Sequence, residues 1–445
     1  MKRYAISTGA SEFLAKFILL YGGLSILVST GMTIYILIHP ELSGKLFKVM
    51  EHNWVFWLFI VAGVAYGIWR KFANPEEFTW LELPAQLFAG AVITAGCFAA
   101  FLFFTTGLYD TETWNGHATS AEYLEGWTEI VRCTERSCSG SGENEVCVDV
   151  PMVRYDYHPP EWRVYTSNNE SVSIASGNYR EYIAKFGNEH KEYVFHMNQY
   201  SVGDGNKYVT TWNGKIETMI PTAVVHPYVN FLRASHSLAK NEGTAQEYES
   251  LLLPYPEIQG GRFGNIEIDR VLVAGGVNIP VQWHATVDRM LDWILAFLGA
   301  EKQADIVVYV VNTDDRGFVE ALRERWCGGK KNQIIVIVGT TNFPKVDWAD
   351  VMIFAGNEDL ITDLGQAIEK QGEISDPEAF TKTIVASIQK EFSRVPMATL
   401  EHLMYHVKLP WWAILAAFLI IAPDLIAMSM ILEGNNIRSR QYVRY

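Results

Sequence analysis

A few residue groups in this 445-residue chain have the types and spacing to do chemistry. Asp314 and Asp315 follow the apolar run DIVVYVVN, and Asn357, Glu358 and Asp359 follow ADVMIFAG. Acids at strand ends can hold a hard cation, so Asp314, Asp315, Glu358 and Asp359 form a candidate Ca or Mg site. The same residues suit helix N-caps, and that reading is preferred for both groups. Cys133, Cys138 and Cys147 flank the turn SGSGEN and predict a small disulfide loop in an oxidising compartment. A zinc site with His158 and free thiols are the alternatives. His402 and His406 have a chelating i, i+4 spacing, but no HExxH order surrounds them, so they read as exposed or interfacial residues. Asp424 follows Pro423 inside an otherwise apolar run and is the intramembrane polar candidate, expected to reach back to the interface or to pair with another helix.

RERWCGGKKNQIIVIVGTTN (323–342) invites a phosphate-loop reading. The glycines follow a helix rather than precede one, and no G-x4-G-K-[ST] occurs. They read as a helix stop, with the lysines near its negative end. No GxSxG, HExxH, redox CxxC or dinucleotide fingerprint appears. His158, His226, His236 and Ser235 are scattered and define no triad. No catalytic residue is assigned.

Four apolar blocks must anchor these residues: Phe17–His39, Trp54–Trp69, Leu87–Leu108 and Leu409–Leu432. The first three carry no charge and the fourth only Asp424. A span needs about 20 apolar residues, with about 17–25 usual. The second block is short, but its Trp-rich ends suit an interface. The first lacks a cleavage signature and reads as a retained span. Four spans are therefore expected, three N-terminal and one C-terminal.

Lys and Arg precede the first block, follow the second (Arg70, Lys71) and follow the fourth (Arg438, Arg440, Arg444). That bias predicts both termini in the cytoplasm and residues 109–408 outside it. Lys45 and Lys48 in the Ser43–Asn53 loop oppose it slightly. Ten of the 36 Lys and Arg, and eight of the 50 Asp and Glu, lie outside residues 109–408. The external segment thus carries 26 positive and 42 negative residues, net −16. Such a balance argues against a nucleic-acid partner.

Residues 109–253 alternate apolar and polar in EWRVYTS, EYVFHMN and YVTTW between turn signals, predicting an antiparallel, β-rich, Cys-containing module. Residues 254–265 are Pro/Gly-rich and read as a linker. Residues 266–394 alternate buried strands (IDRVLVAGGV, DIVVYVVN, QIIVIVG, ADVMIFAG) with helices over 281–298, 315–326, 359–370 and 377–392. That order predicts an α/β sandwich. Residues 395–408 read as a membrane-entry helix leading into the last span, 409–432, and a basic tail closes the chain at 433–445.

The order ADIVVYVVN, FVEALRERW, GGKKN, QIIVIVG resembles the TPM domain, with Trp326, Gly328, Gly329 and Lys330 matching its W-x-x-G helix end. That family includes thylakoid-lumen proteins, bacterial membrane-tethered proteins and a nematode receptor modulator. The chain departs from it downstream, with TTNFPKVDWADV where the family has an Asp-Arg turn, so the family's metal or phosphatase acids do not carry over. More broadly, DTETWNG (110–116), the Cys loop, HPPEW (158–162), PYVNFL (227–232), GGKKN and FSRVPMATLEHL (392–403) resemble multi-span membrane proteins of large tailed bacteriophages. This implies a bacterial inner membrane or a virion membrane as the setting.

The fold class expected is a membrane protein, α plus α/β: a three-span anchor at 1–108, the external β-rich module, a TPM-like α/β sandwich and a fourth span. The function expected is a doubly tethered, self-assembling scaffold, partnered by the bilayer, by its own copies and by another membrane protein. Gly22, Gly23, Gly31, Gly63, Gly67, Gly90 and Gly96 would allow close helix packing. The alternatives are a metal-dependent phosphatase or hydrolase and a modulator of a host membrane complex.

Overall fold

The structure is a computed structural model that describes residues 31, 34, 40–73, 82–139, 146–197, 201–235, 243–256 and 268–434. The first apolar block, most of the linker and the basic tail therefore lie outside the described residues, apart from Gly31 and Ile34. The chain divides into two compact units. One comprises the chain up to Thr111, residues 227–240 and the chain from Pro396; the other is Glu112–His226 with Asn241–Val395.

The helical unit begins with α1 (Pro40–His52), where a loop was expected. Leu46, Val49 and Met50 recur at helical spacing and are buried, which is enough to fold this short stretch as an amphipathic helix. Next come α2 (Trp54–Ala73) and α3 (Glu82–Thr105), and the last helix, Trp411–Gly434, is α11. Three described helices are long and apolar enough to cross a membrane: Trp54–Ala73, Leu83–Thr105 and Trp411–Ser429. The short second block is thus a full-length helix, because Arg70 and Lys71 extend it at its basic end. Glycine permits the closest approach at Gly90, where an added Cβ would lie 2.8 Å from Leu425 Cδ2. Gly63 faces the same leucine at 3.6 Å.

The second unit opens with a long antiparallel sheet. Its strands are β1 (Tyr109–Leu124), β2 (Trp127–Ser139), β3 (Val146–His158), β4 (Glu161–Thr166), β5 (Ser171–Ser173), β6 (His190–Met197), β7 (Ser201–Thr211) and β8 (Pro221–Val229). Helix α4 (Ser176–Phe186) lies between β5 and β6; after β8 come the short helix α5 (Phe231–Ala234), which belongs to the helical unit, and α6 (Thr244–Glu247). The order is β3-β2-β7-β1-β4-β5, with β6 on β7 and β8 on β1. The strands read from EWRVYTS, EYVFHMN and YVTTW are β4, β6 and β7.

A second sheet follows: β9 (Val271–Ala274), helix α7 (Val281–Lys302), β10 (Asp305–Val311), helix α8 (Phe318–Arg325), β11 (Gln333–Gly339), β12 (Trp348–Ile353), and helices α9 (Glu358–Gln371) and α10 (Pro377–Glu391). Its order is β12-β11-β10-β9. Every residue of β10 and β11 is buried, as expected for strands covered on both faces. Ile306, Val308, Val310, Val336 and Val338 face Val287 and Leu291 of α7, Leu364 of α9 and Ile384 of α10. Val307, Tyr309, Ile335 and Ile337 face Phe318 and Leu322 of α8 and Trp326 beyond it. Gly328 and Gly329 take φ of 79° and 81°, and Gly328 N donates to Arg323 O at 2.9 Å, so the glycine pair is a helix stop.

Residues of the β-rich and α/β halves belong to one compact unit. Helix α7 approaches β1 so closely that a Cβ on Gly299 would lie 2.5 Å from Asn115 Cβ.

Candidate functional site

β10 runs parallel to β11, pairing Asp305 with Gln333 and Val311 with Gly339, while β12 runs antiparallel, pairing Ile334 with Ile353. The chain therefore leaves β12 beside the start of β11, at the end of the sheet where β10 also starts. Asp314 and Asp315 lie beyond the other end of that strand, a seven-residue strand or roughly 20 Å away. The two acid groups cannot share a cation, which corrects the joint site expected of Asp314, Asp315, Glu358 and Asp359. Among the described residues, no group of three or more His, Cys, Asp and Glu is arranged to hold a metal ion.

Local roles explain these acids. Asp315 accepts from Gly317 N at 2.8 Å and from the Tyr248 hydroxyl. The hydroxyl, then the amide, hold its carboxyl below the usual range. Asn357 of the second group holds the N-cap position of α9 as expected, though without a side-chain capping bond, whereas Gly317 rather than Asp314 or Asp315 holds that of α8. Glu358 and Asp359 sit in the first turn of α9, where the helix dipole favours acids. Asn357 instead clamps Ser393, accepting from its N–H at 2.8 Å and donating to its carbonyl at 3.1 Å.

His402 and His406 are exposed and lie in a 3-10 stretch, Met397–His406. With three residues per turn, i and i+4 do not share a face, so the chelating geometry is lost. Asp424 is 0% exposed within α11, so of its two expected roles burial supports packing against other helices. Gln86, Thr94 and Ser429 are also buried polar residues of these helices. Gln86 Nε2 donates to Leu425 O at 3.0 Å, and Tyr66 OH lies 3.0 Å from Ser429 Oγ. In hydrocarbon such pairs hold helices together, each contributing about 0.6–2 kcal/mol.

Two motifs quoted for resemblance meet in the helical unit. Asp110 Oδ2 accepts from the Asn230 amide at 2.8 Å and the Tyr228 hydroxyl at 3.1 Å. Asn230 also caps α5 by accepting from Arg233 N at 2.9 Å.

Sequence reasoning missed two buried charge clusters. Arg270 is 2% exposed in a segment read as plain strand. Its Nε donates to Asp292, its Nη1 to Asp305 and its Nη2 to Asn115, each at 2.6 Å. Asp305 also accepts from Asn115 Nδ2 at 2.9 Å and Gln333 Nε2 at 3.0 Å. A charged residue opening an apolar run was the signal. A cleft of about 150 Å³ lies alongside, lined by Asn178, Glu181 and Lys185 of α4 together with Arg270 and Asp292.

The second cluster surrounds Glu112, which is 1% exposed. Its Oε1 accepts from Trp114 Nε1 at 3.1 Å and from Arg394, and His226 Nδ1 lies 3.6 Å away. The His226 ring stacks on Trp114 with centroids 3.6 Å apart. Burial alone would raise the Glu112 pKa, but His226, Lys331 and Arg394 outweigh it and hold the carboxyl below its usual value. A depressed folded pKa contributes stability above the ordinary glutamate value, about 4.3, that is lost as pH falls through the folded one. Glu112→Gln is therefore expected to melt lower than the parent at pH 7. The gap should close as the pH is lowered below about 4. Thermal melts across that range check it; a gap that stays constant would refute the linkage.

Cys138 and Cys147 form a disulfide, while Cys133 and Cys327 are free thiols and Cys97 is buried. This resolves the three-cysteine ambiguity. It also removes zinc: His158 stacks on Trp127 and pairs with Glu129 at 2.8 Å. The bond ties the two strands of the β2–β3 hairpin, continuously paired from Trp127↔His158 to Ser139↔Val146. Among the described strands β3 pairs only with β2, so its outer edge is open. Along that edge Val148, Val150, Met152, Val153, Tyr155 and Tyr157 are between 46% and 69% exposed. A long, apolar, open edge strand is a template for pairing with another chain.

No protein-family model matches the chain, and neither a curated protein nor a solved structure matches it. What the fold and sites define is a membrane protein of mixed helix and sheet, with two N-terminal and one C-terminal candidate spans among its described helices and a disulfide suited to an oxidising compartment.

Proposed function

We propose that this protein is a membrane-anchored scaffold that assembles with its own copies through its extracytoplasmic unit. The observation that carries the reading is the β2–β3 ribbon. It presents a run of large apolar side chains on an unpaired strand edge, whereas monomeric soluble surfaces scatter such residues. The apolar helices before β1 and after the 3-10 stretch tether the sheet-bearing unit at both chain ends, which restricts its orientation and favours lateral assembly.

The Cys138–Cys147 bond supports an external location for residues 109–408, and the Lys/Arg bias supports cytoplasmic termini. This topology counts the first apolar block, which lies outside the described residues, as a fourth span. The TPM-like strand order and the phage-like motifs fit a bacterial membrane or virion setting. The hydrolase reading would need a site other than the two separated acid groups.

Light scattering on the detergent-extracted full-length protein tests the proposal. A uniform particle several times the 50.3 kDa chain mass is expected after correction for detergent. A monomer at all concentrations would overturn self-assembly.

A further inference from the structure

We propose that β3 pairs antiparallel with β3 of a second copy, about a two-fold axis through Tyr155, so that Arg154 of each copy faces Asp156 of the other. This rests on the self-assembly reading and names the surface and register that carry it.

Backbone parity shows which groups the open edge offers. Opposed residues of an antiparallel pair alternate between hydrogen-bonded pairs, about 5.5 Å between Cα atoms, and non-hydrogen-bonded pairs, about 4.5 Å. Cys138 and Cys147 are direct partners with Cα atoms 4.0 Å apart, so theirs is a non-hydrogen-bonded pair. The register runs unbroken, so the odd-numbered residues of β3 turn their N–H and C=O groups away from β2. Pro151 agrees independently. It falls at an odd position, where its missing N–H costs the β2–β3 ladder nothing. Val153, Tyr155 and Tyr157 therefore present both backbone groups to the outer edge.

A two-fold axis perpendicular to the sheet leaves only registers in which paired residue numbers sum to an even value, since paired side chains must share a face. Centring on Pro151 forfeits both central hydrogen bonds, because proline cannot donate. Centring on Met152 or Val153 keeps Pro151 within the new ladder and sets neither Arg154 nor Asp156 opposite a charge. Centring on Arg154 places two arginines face to face, and centring on Asp156 places two aspartates face to face, both destabilising. Centring on Tyr155 opposes Arg154 to Asp156 twice and pairs Val153 with Tyr157 twice. Every bond of that core comes from a residue able to donate and accept. Within one copy Arg154 Nε and Nη2 already hold Asp156 at 2.8 and 2.6 Å, so the dimer would join two such pairs into a four-charge ring on one face. On the other face Tyr155 would meet its own copy and Val153 would meet Tyr157, all exposed in the single chain.

The test uses the full-length protein in detergent, with Cys133→Ser and Cys327→Ser as background for the cross-linking arm. Tyr155→Cys should give a covalent dimer on mild oxidation, because a self-paired residue has Cα atoms about 5.5 Å apart, within disulfide reach. Val150→Cys should not, since this register separates the two copies of that residue by roughly 33 Å. Arg154→Asp and Asp156→Arg should each weaken self-association by about tenfold or more through like charges. An equimolar mixture of the two should recover parental association, because each then faces its opposite. A far-ultraviolet circular dichroism spectrum and melt matching the parent's, with the Cys138–Cys147 bond intact, confirm that each variant is folded. If the parent assembles but the charge variants assemble equally well and Tyr155→Cys gives no covalent dimer, this register is overturned while self-assembly through another surface stands. If the parent is monomeric throughout, both fall.

Discussion

Arg270→Met is expected to destabilise the sheet-bearing unit by about 3–5 kcal/mol, the usual cost of removing one partner from a buried ion pair. The reason is Asp305, whose side chain is fully buried. With the guanidinium gone, the Asn115 and Gln333 amides would be its remaining side-chain donors among the described residues. Asp292 is partly exposed and can turn to water, so it contributes less. Arg270→Lys keeps a charge but loses the fork that reaches Asp292, Asp305 and Asn115 at once, so it should fall between the parent and Arg270→Met. Denaturant unfolding followed by circular dichroism measures both. A loss under about 1 kcal/mol for Arg270→Met would show that the cluster is not what joins β1 to the α/β layer.

Trp283→Ala should cost a comparable amount, about 3–5 kcal/mol. Trp283 is 4% exposed on the buried face of α7, with its ring 5.4 Å from Phe343 and 5.6 Å from Phe380. Its Nε1 donates to Ile374 O at 2.6 Å. Truncation would open a cavity between α7 and α10 and leave that carbonyl unpaired. Trp283→Phe separates the two effects. It retains most of the volume and should lose only about 1–3 kcal/mol, the cost of the orphaned carbonyl. Equal losses for the two variants would mean that packing at this site contributes little.

Much of the architecture was legible because it rests on composition and period. Apolar runs of about 20 residues favour single long helices, and α2, α3 and α11 are long and apolar enough to cross a membrane. Continuous apolar runs such as DIVVYVV and QIIVIVG can be buried on both faces only between helix layers, and β10 and β11 are. The glycine stop after α8 was readable because Gly328 and Gly329 adopt positive φ at little cost. Helix α1 was missed because its short amphipathic stripe sits between two far more apolar blocks. The 3-10 form of Met397–His406 was missed because helical spacing alone does not separate three residues per turn from 3.6.

Taken by itself, the sequence determined that this chain has helices long and apolar enough to cross a membrane, an antiparallel β-rich region and an α/β layer, because hydrophobic length and periodicity are local properties. Tertiary structure alone decided the rest. β12 runs against β11, and that reversal separates Asp314 and Asp315 from Glu358 and Asp359. Strand direction depends on long-range pairing, which local pattern does not encode. Cys138 pairs with Cys147 and leaves Cys133 free because the hairpin register sets the first two directly opposite each other. Arg270 meets Asn115 across 155 positions of chain, and only folding makes neighbours of them.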